Sequence, residues 1–248
     1  GAGTVTTSLF SACGSLDTTG FTGTLTGASG LNASGSVTIG AATTWSVSSL
    51  NLTGSGTLTT NGKDTQTLGI SGSGTWALGD ALTVSIGFSV SGSVVFSTAN
   101  FNITAPVIAF ISTSNISLGS STLTVNAADS GGAVWRFESG VTLNAGTSTI
   151  KLTDSTSGTK TFDGAGKTYY NLWLAAGAGN GQFTLTGANT FNDIKDDGTA
   201  AHIVQFPATL TQTVSSFTFN GTAGQLISIR SSTAASQFTL SKPSGSVT

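Results

Sequence analysis

The chain has 248 residues, of which 34 are Gly, 1 is Cys, 1 is His and none is Met, and only 7% are charged. A net charge of −2 excludes a general attraction to nucleic acid or an anionic membrane, and one cysteine excludes an internal disulfide framework or a thiolate metal cluster. Abundant Ser and Thr would suit a linker, but 38% hydrophobic residues and a mean hydropathy of +0.23 exclude disorder arising from low hydrophobicity.

Short alternating runs follow one another along the chain. They begin with F-T-G-T-L-T (21–26), S-V-T-I (36–39), W-S-V-S-S-L-N-L (45–52) and G-T-L-T-T (56–60), and continue with L-T-V-S-I (82–86), V-V-F-S (94–97), F-N-I-T (101–104) and V-I-A-F-I (107–111). The later ones are S-T-L-T-V (121–125), S-T-I-K-L (148–152), N-L-W-L (171–174), Q-F-T-L-T (182–186), I-V-Q-F (203–206), S-F-T-F (216–219), L-I-S-I-R (226–230) and Q-F-T-L (237–240). Each is rich in β-branched and aromatic residues and is bounded by Gly, Asn, Ser or Asp, which predicts short strands. No run places apolar residues at i, i+3, i+4 and i+7, so no helix is expected.

Strands this closely spaced fit a sandwich, a barrel or a solenoid. Recurring phrases favour the solenoid: G-S-G-T-L-T-T-N-G-K (54–63) returns as G-S-S-T-L-T-V-N (119–126) and G-T-S-T-I-K-L-T (146–153). Asn61-Gly62, Asn180-Gly181 and Asn220-Gly221 supply left-handed turn geometry, which also suits hairpins. The expected fold is therefore all-β, a parallel β-helix (β-solenoid) with a pair of β-sandwiches as the alternative, and residues 1–248 form one elongated domain. At ~20–25 residues and ~4.8 Å per coil the rod would be ~50–60 Å long. Gly1 in place of Met suggests a chain processed or numbered from within a longer product. No stretch approaches the length of an apolar bilayer span, so membrane insertion is not expected.

Before Asp129 the only charged residues are Asp17, Lys63, Asp64 and Asp80. So uncharged a first half suggests a surface kept soluble by hydroxyls and amides and partly covered by other subunits.

Candidate chemistry is sparse. G-A-G-K-T at 164–168 resembles part of a phosphate loop, but the first glycine of that motif is replaced by Thr161 and the following Y-Y-N-L-W-L favours a strand, so a turn is expected. His202 cannot build a multi-histidine metal site and, in A-A-H-I-V, is expected at the surface or in a turn. Cys13 has no basic neighbour to activate it and is expected to be a small buried filler. F-N-D-I-K-D-D-G offers hard oxygen ligands, which makes Asp193, Asp196 and Asp197 the calcium candidate; the spacing is not that of an EF-hand and Lys195 intervenes, so a solvated loop is the preferred reading. Trp45, Trp76, Trp135 and Trp173 sit in strand-like runs and are expected in the core or stacked between coils rather than on sugars. Pairs such as Thr24/Thr26, Thr57/Thr59, Thr122/Thr124 and Thr184/Thr186 are similar in composition to an ice-binding lattice, but their irregular gaps argue against one flat array. No catalytic residue and no cofactor site is assigned.

The C-terminal half carries G-K-T-Y-Y-N-L-W-L, F-T-L-T-G-A-N-T-F-N-D-I-K, T-Q-T-V-S-S-F-T-F-N-G-T-A-G-Q-L-I-S-I-R-S-S and F-T-L-S-K-P-S-G in that order, and S-L-D-T-T-G-F-T-G-T-L-T lies near the start. This series resembles a loosely defined group of β-helical repeat proteins encoded by tailed bacteriophages and uncultivated environmental bacteria. The resemblance implies further coils after the S-K-P-S-G-S-V strand, hence a fragment of a longer chain, and a virion or cell-surface location. It implies no catalytic residues. The function expected is a non-enzymatic structural or adhesive rod, part of a tail fibre or other virion appendage, with a bacterial surface adhesin or filament subunit as the alternative; a glycan-cleaving β-helix enzyme and an ice-binding solenoid stand behind these. The partners expected are further copies of itself, other virion or surface proteins, and a host-surface glycan.

Overall fold

The computed structural model describes residues 1–7, 11–175, 179 and 181–243; Asn180 of the second Asn-Gly pair and residues 244–247 of the S-K-P-S-G-S-V phrase lie outside them. The described residues form short strands and no helix. The strands stack into parallel sheets of eleven, eight, seven and three strands, a β-solenoid of about 11 turns.

One coil shows how the chain winds. From Thr67–Ile70 in the eleven-stranded sheet it turns into Thr75–Leu78 of the seven-stranded sheet, then Leu82–Thr83 of the eight-stranded sheet, and returns as Gly87–Val90 beside its starting point. Leu68 then lies against Phe88 and Ile70 against Val90. Every strand pairing is parallel, and the one antiparallel contact among the described residues is an isolated bridge between Thr222 and Gln225. The sandwich alternative is thereby ruled out.

Alternation decides what is buried. In each strand the side chains at every second position point inward, and parallel registry places like positions on top of one another. In the eleven-stranded sheet Leu31, Leu50, Leu68, Phe88, Ile108, Trp135 and Phe162 form one inward column. Leu82, Ile103, Leu123, Ile150, Leu172 and Ile194 form another on the eight-stranded sheet. A single buried cluster runs from Leu25 to Val214. No coil could bury these groups alone; each needs the coil before and the coil after. In the middle of the rod aromatics dominate: Phe110 meets Phe88, Trp135 and Phe137 edge-on, with ring centroids 6.0, 5.5 and 5.6 Å away.

The corners account for much of the Ser, Thr, Asn and Asp content. Thr98 Oγ1 donates to the Leu118 carbonyl at 2.8 Å and Ser121 Oγ to the same carbonyl at 2.6 Å, so hydroxyls buried at a corner satisfy turn carbonyls. Three of the four charges of the first half are used in the same way. Asp17 accepts from Thr19 N at 2.8 Å, Asp64 from Gln66 N at 2.8 Å and Ser85 N at 3.0 Å, and Asp80 from Thr60 N at 2.8 Å. Asn61 and Gly62 take positive φ of 48° and 75° at a corner between coils, not in a hairpin.

Coil size changes along the rod. Contacts in the first half join residues about 20 apart, as from Thr75 N to Ser55 Oγ, whereas Thr153 Oγ1 reaches Val125 O across 28 residues. After Thr142–Asn144 the seven-stranded sheet ends, and each later coil has one strand in the eleven-stranded sheet and one in the eight-stranded sheet. The lost wall is replaced by a turn and by buried amides: Asn189 Oδ1 accepts from Gly166 N at 3.0 Å, and Gln212 Oε1 from Asn189 N at 3.3 Å.

Candidate functional site

The residues that carry chemistry lie in the C-terminal half, on the faces and corners of the eight- and eleven-stranded sheets. Strand alternation sorts them into groups that point inward and groups that point outward.

The calcium candidates are sorted apart in this way. F-N-D-I-K-D is not a solvated loop; Thr190–Asp196 is a strand paired along its length with Thr211–Phe219. Asp196 occupies the inward position that Leu174 and Phe219 fill in the neighbouring coils, and it is fully buried. Asp197 lies outside, 2.7 Å from the Lys195 ammonium and accepting the Trp173 indole N–H at 2.7 Å. Asp193 is half-buried, in register with Asn171 and Ser216 of the neighbouring coils, and no group of three potential ligands among the described residues is placed to hold a metal.

His202 is buried, not at the surface. Its Nε2 is 2.7 Å from Asp196 Oδ2 and its Nδ1 is 2.8 Å from the Ala200 carbonyl. Both ring nitrogens face oxygens, an arrangement that matches an imidazolium donating on each side to a carboxylate and a carbonyl. Burial alone would lower the histidine pKa, but the Asp196 hydrogen bond, the Ala200 carbonyl and the Asp196 charge outweigh it against opposition from Lys160, and the net shift is upward. Lys160 and Asp154 form a second inward pair, Nζ to Oδ2 3.9 Å, with side chains 2% and 4% exposed. Burial lowers the Lys160 pKa and the Asp154 charge opposes that shift.

Sequence reasoning missed both inward pairs, although the signal was present. Asp196 stands two residues after inward Ile194, and Lys160 two before inward Phe162. A strict period-2 reading places each inside.

The tryptophans divide. Trp76 and Trp135 are buried, and Trp135 Nε1 donates to the Tyr169 hydroxyl at 3.3 Å. Trp45 packs against the core from a half-buried position. Trp173 points outward between inward Leu172 and Leu174, and Lys151 and Lys195, from the coils before and after, lie 4.1 and 4.5 Å from its ring. Both ring faces are occupied by ammonium groups, which leaves neither for a sugar.

G-A-G-K-T is a turn. It follows the strand Thr159–Asp163; Lys167 N donates to Gly164 O at 3.1 Å, and Lys167 Nζ reaches the Ser139 carbonyl at 2.8 Å. Cys13 is half-buried, with Sγ 3.7 Å from the Asn32 carbonyl, and burial raises its pKa. The Thr-x-Thr pairs fall on different walls: Thr24/Thr26 on the three-stranded sheet, Thr57/Thr59 on the seven-stranded, Thr122/Thr124 on the eight-stranded and Thr184/Thr186 on the eleven-stranded. They form no common plane.

What does repeat on the outside is a set of short polar ladders. Thr83, Thr104 and Thr124 stand in one column, and Ser97, Ser117 and Asn144 in another. In comparisons with known families, curated proteins and solved structures, nothing matches this chain.

Proposed function

We propose that the protein is a non-enzymatic structural and adhesive rod, a component of a bacteriophage tail fibre or another virion appendage, and that it acts outside the cell. The observation that carries this reading is the inward column shared by all coils from Leu25 to Val214. Such a body resists unfolding because removing one coil exposes its neighbours. Its outer surface in the first half offers hydroxyls and amides, its few acids being committed to turns. A surface of that kind suits contact with further copies of the chain and with hydroxylated host surfaces. The resemblance of the C-terminal phrases to β-helical phage proteins is the ground for placing it on a virion.

Electron microscopy of particles purified from the source culture, labelled with antibody to this chain, tests the proposal. Label along an appendage supports it. Label confined to cell envelopes transfers the role to a surface adhesin or filament subunit, and label on neither overturns it.

A further inference from the structure

Two consecutive coils depart furthest from the 20-residue habit, and they do so at the same corner, between the eight- and eleven-stranded sheets. Registry carries Ile108 onto Trp135 and Trp135 onto Phe162, and the added residues form the segments 126–132 and 153–158. In coiled architectures such insertions gather on one face, often the binding face. Between these two segments lies a recess of about 490 Å³, within the range of small-molecule sites. Beside it the strand Ala133–Phe137 shifts register between Ala133 and Trp135, an irregularity of the kind that re-aims side chains next to functional sites. The end of the first segment lies so close to the strand that follows the second that a Cβ on Gly132, whose φ is +83°, would lie 2.6 Å from the Thr159 carbonyl.

The lining defines what would fit. Two carboxylates reach the recess, each already balanced by a cation. Asp129 Oδ1 accepts from Gly131 N at 2.8 Å and Ala133 N at 2.9 Å, while its Oδ2 pairs with Arg136 at 3.1 Å. Asp154 is buried in the wall; its Oδ1 accepts from Thr156 N at 2.9 Å. Asp154 Oδ2 has the Lys160 ammonium 3.9 Å away, outside hydrogen-bond range, and so retains room for a donor. Lys160 Nζ donates to the carbonyls of Thr156 and Gly158. A cation entering here would meet Lys160 behind Asp154, and an anion would meet two carboxylates. The chemistry left over suits an uncharged group that donates hydrogen bonds. Ser130 and Thr156 add hydroxyls, and Ala127 and Ala128 a small apolar wall.

We propose that this corner recess is a binding site for one neutral sugar residue of a glycan, with Asp154 Oδ2 accepting from a sugar hydroxyl and Ala127 and Ala128 against the sugar C–H face. The site rests on the adhesive reading above and gives it a place on the rod.

Backbone ¹⁵N–¹H spectra of the whole chain, titrated to 50 mM with the methyl glycosides of glucose, galactose, mannose, rhamnose and N-acetylglucosamine, test it. At least one sugar is expected to shift amides of Gly131, Gly132, Thr156 and Gly158 with a millimolar Kd. Asp154→Asn should weaken that binding at least fivefold, and Ser130→Trp, an exposed change that fills the mouth without touching the core, should abolish it. The proposal is overturned if none of the five sugars moves these amides. It is overturned equally if both variants bind as the parent does, or if calcium chloride or sodium sulfate shifts the same amides where the sugars do not. Sugar binding by a rod that adheres to no cell would remove the adhesive reading and leave the site standing; adhesion without sugar binding at this corner would do the reverse.

Discussion

Asp196 and His202 offer the sharpest test of how the interior tolerates charge. Both side chains are fully buried, and the aspartate occupies a position that is leucine one coil earlier and phenylalanine one coil later. Removing one member of a buried pair strands the other, at a cost of about 3–5 kcal/mol. With ~2–4 °C per kcal/mol for a chain of this size, Asp196→Ala should lower Tm by ~6–20 °C. The pH dependence follows from the raised pKa of His202. Stability from this pair is fully present below the unfolded-state value of about 6.5 and is lost as pH rises through the higher folded value. In Asp196→Ala burial and Lys160 still depress the histidine pKa and only the Ala200 carbonyl still raises it, so the slope should flatten or reverse, with stability falling on acidification. Because solenoids open locally, hydrogen exchange of the coils spanning 190–231 should accompany urea denaturation from pH 5 to 9. A loss below 1 kcal/mol in Asp196→Ala, or parent stability that rises steadily from pH 6 to 9, would refute the reasoning.

Phe110 is fully buried and meets Phe88, Trp135 and Phe137, so Phe110→Ala should cost about 3–5 kcal/mol in denaturant titrations, while a polar change at outward Ala109 should cost under about 0.5 kcal/mol. Trp76 Nε1 is buried without a partner, whereas the Tyr169 hydroxyl accepts from Trp135 and donates to the Gly164 carbonyl at 3.0 Å. Trp76→Phe removes an orphan donor and should stay within about 1 kcal/mol of the parent, and Tyr169→Phe, which creates orphans, should cost about 1–3 kcal/mol for each; the reverse order in calorimetry would contradict the assigned contacts. A Cβ on Gly74 would fall 1.6 Å from the Gly54 carbonyl, while one on Gly87 meets nothing within 4 Å. Gly74→Ala should therefore lose soluble folded yield and Gly87→Ala should retain it.

The architecture was legible because the solenoid writes the same local rule many times. N-L-W-L and Q-F-T-L-T coincide with their strands residue for residue, and alternation within them gives the inward face. Boundaries failed where a corner falls inside an apolar run: W-S-V-S-S-L-N-L is two strands, Thr44–Val47 and Ser49–Leu52, in different sheets. Strands interrupted by a glycine, such as Thr67–Ile70 and Gly87–Val90, are not legible locally because propensity is weak there and registry with neighbouring coils supplies the order. Charge was the other source of error. F-N-D-I-K-D-D-G looks solvated by composition, yet its alternate positions face the interior, and the compensating His202 lies beyond the turn that follows. The corner recess left no local motif, since it arises from the length of two coils.

Spin labels along one outward column measure the winding directly. Asn32, Asn51, Gly69, Ser89, Ala109, Arg136, Asp163 and Thr186 are successive neighbours across the eleven-stranded sheet. At ~4.8 Å per coil, distances from Asn32 should be ~19 Å to Ala109, ~24 Å to Arg136 and ~34 Å to Thr186. A steady increase in that order is the result a forward-winding rod predicts. Distances that level off or shorten with sequence separation would mean that the chain doubles back, and the rod with its corner site would not exist.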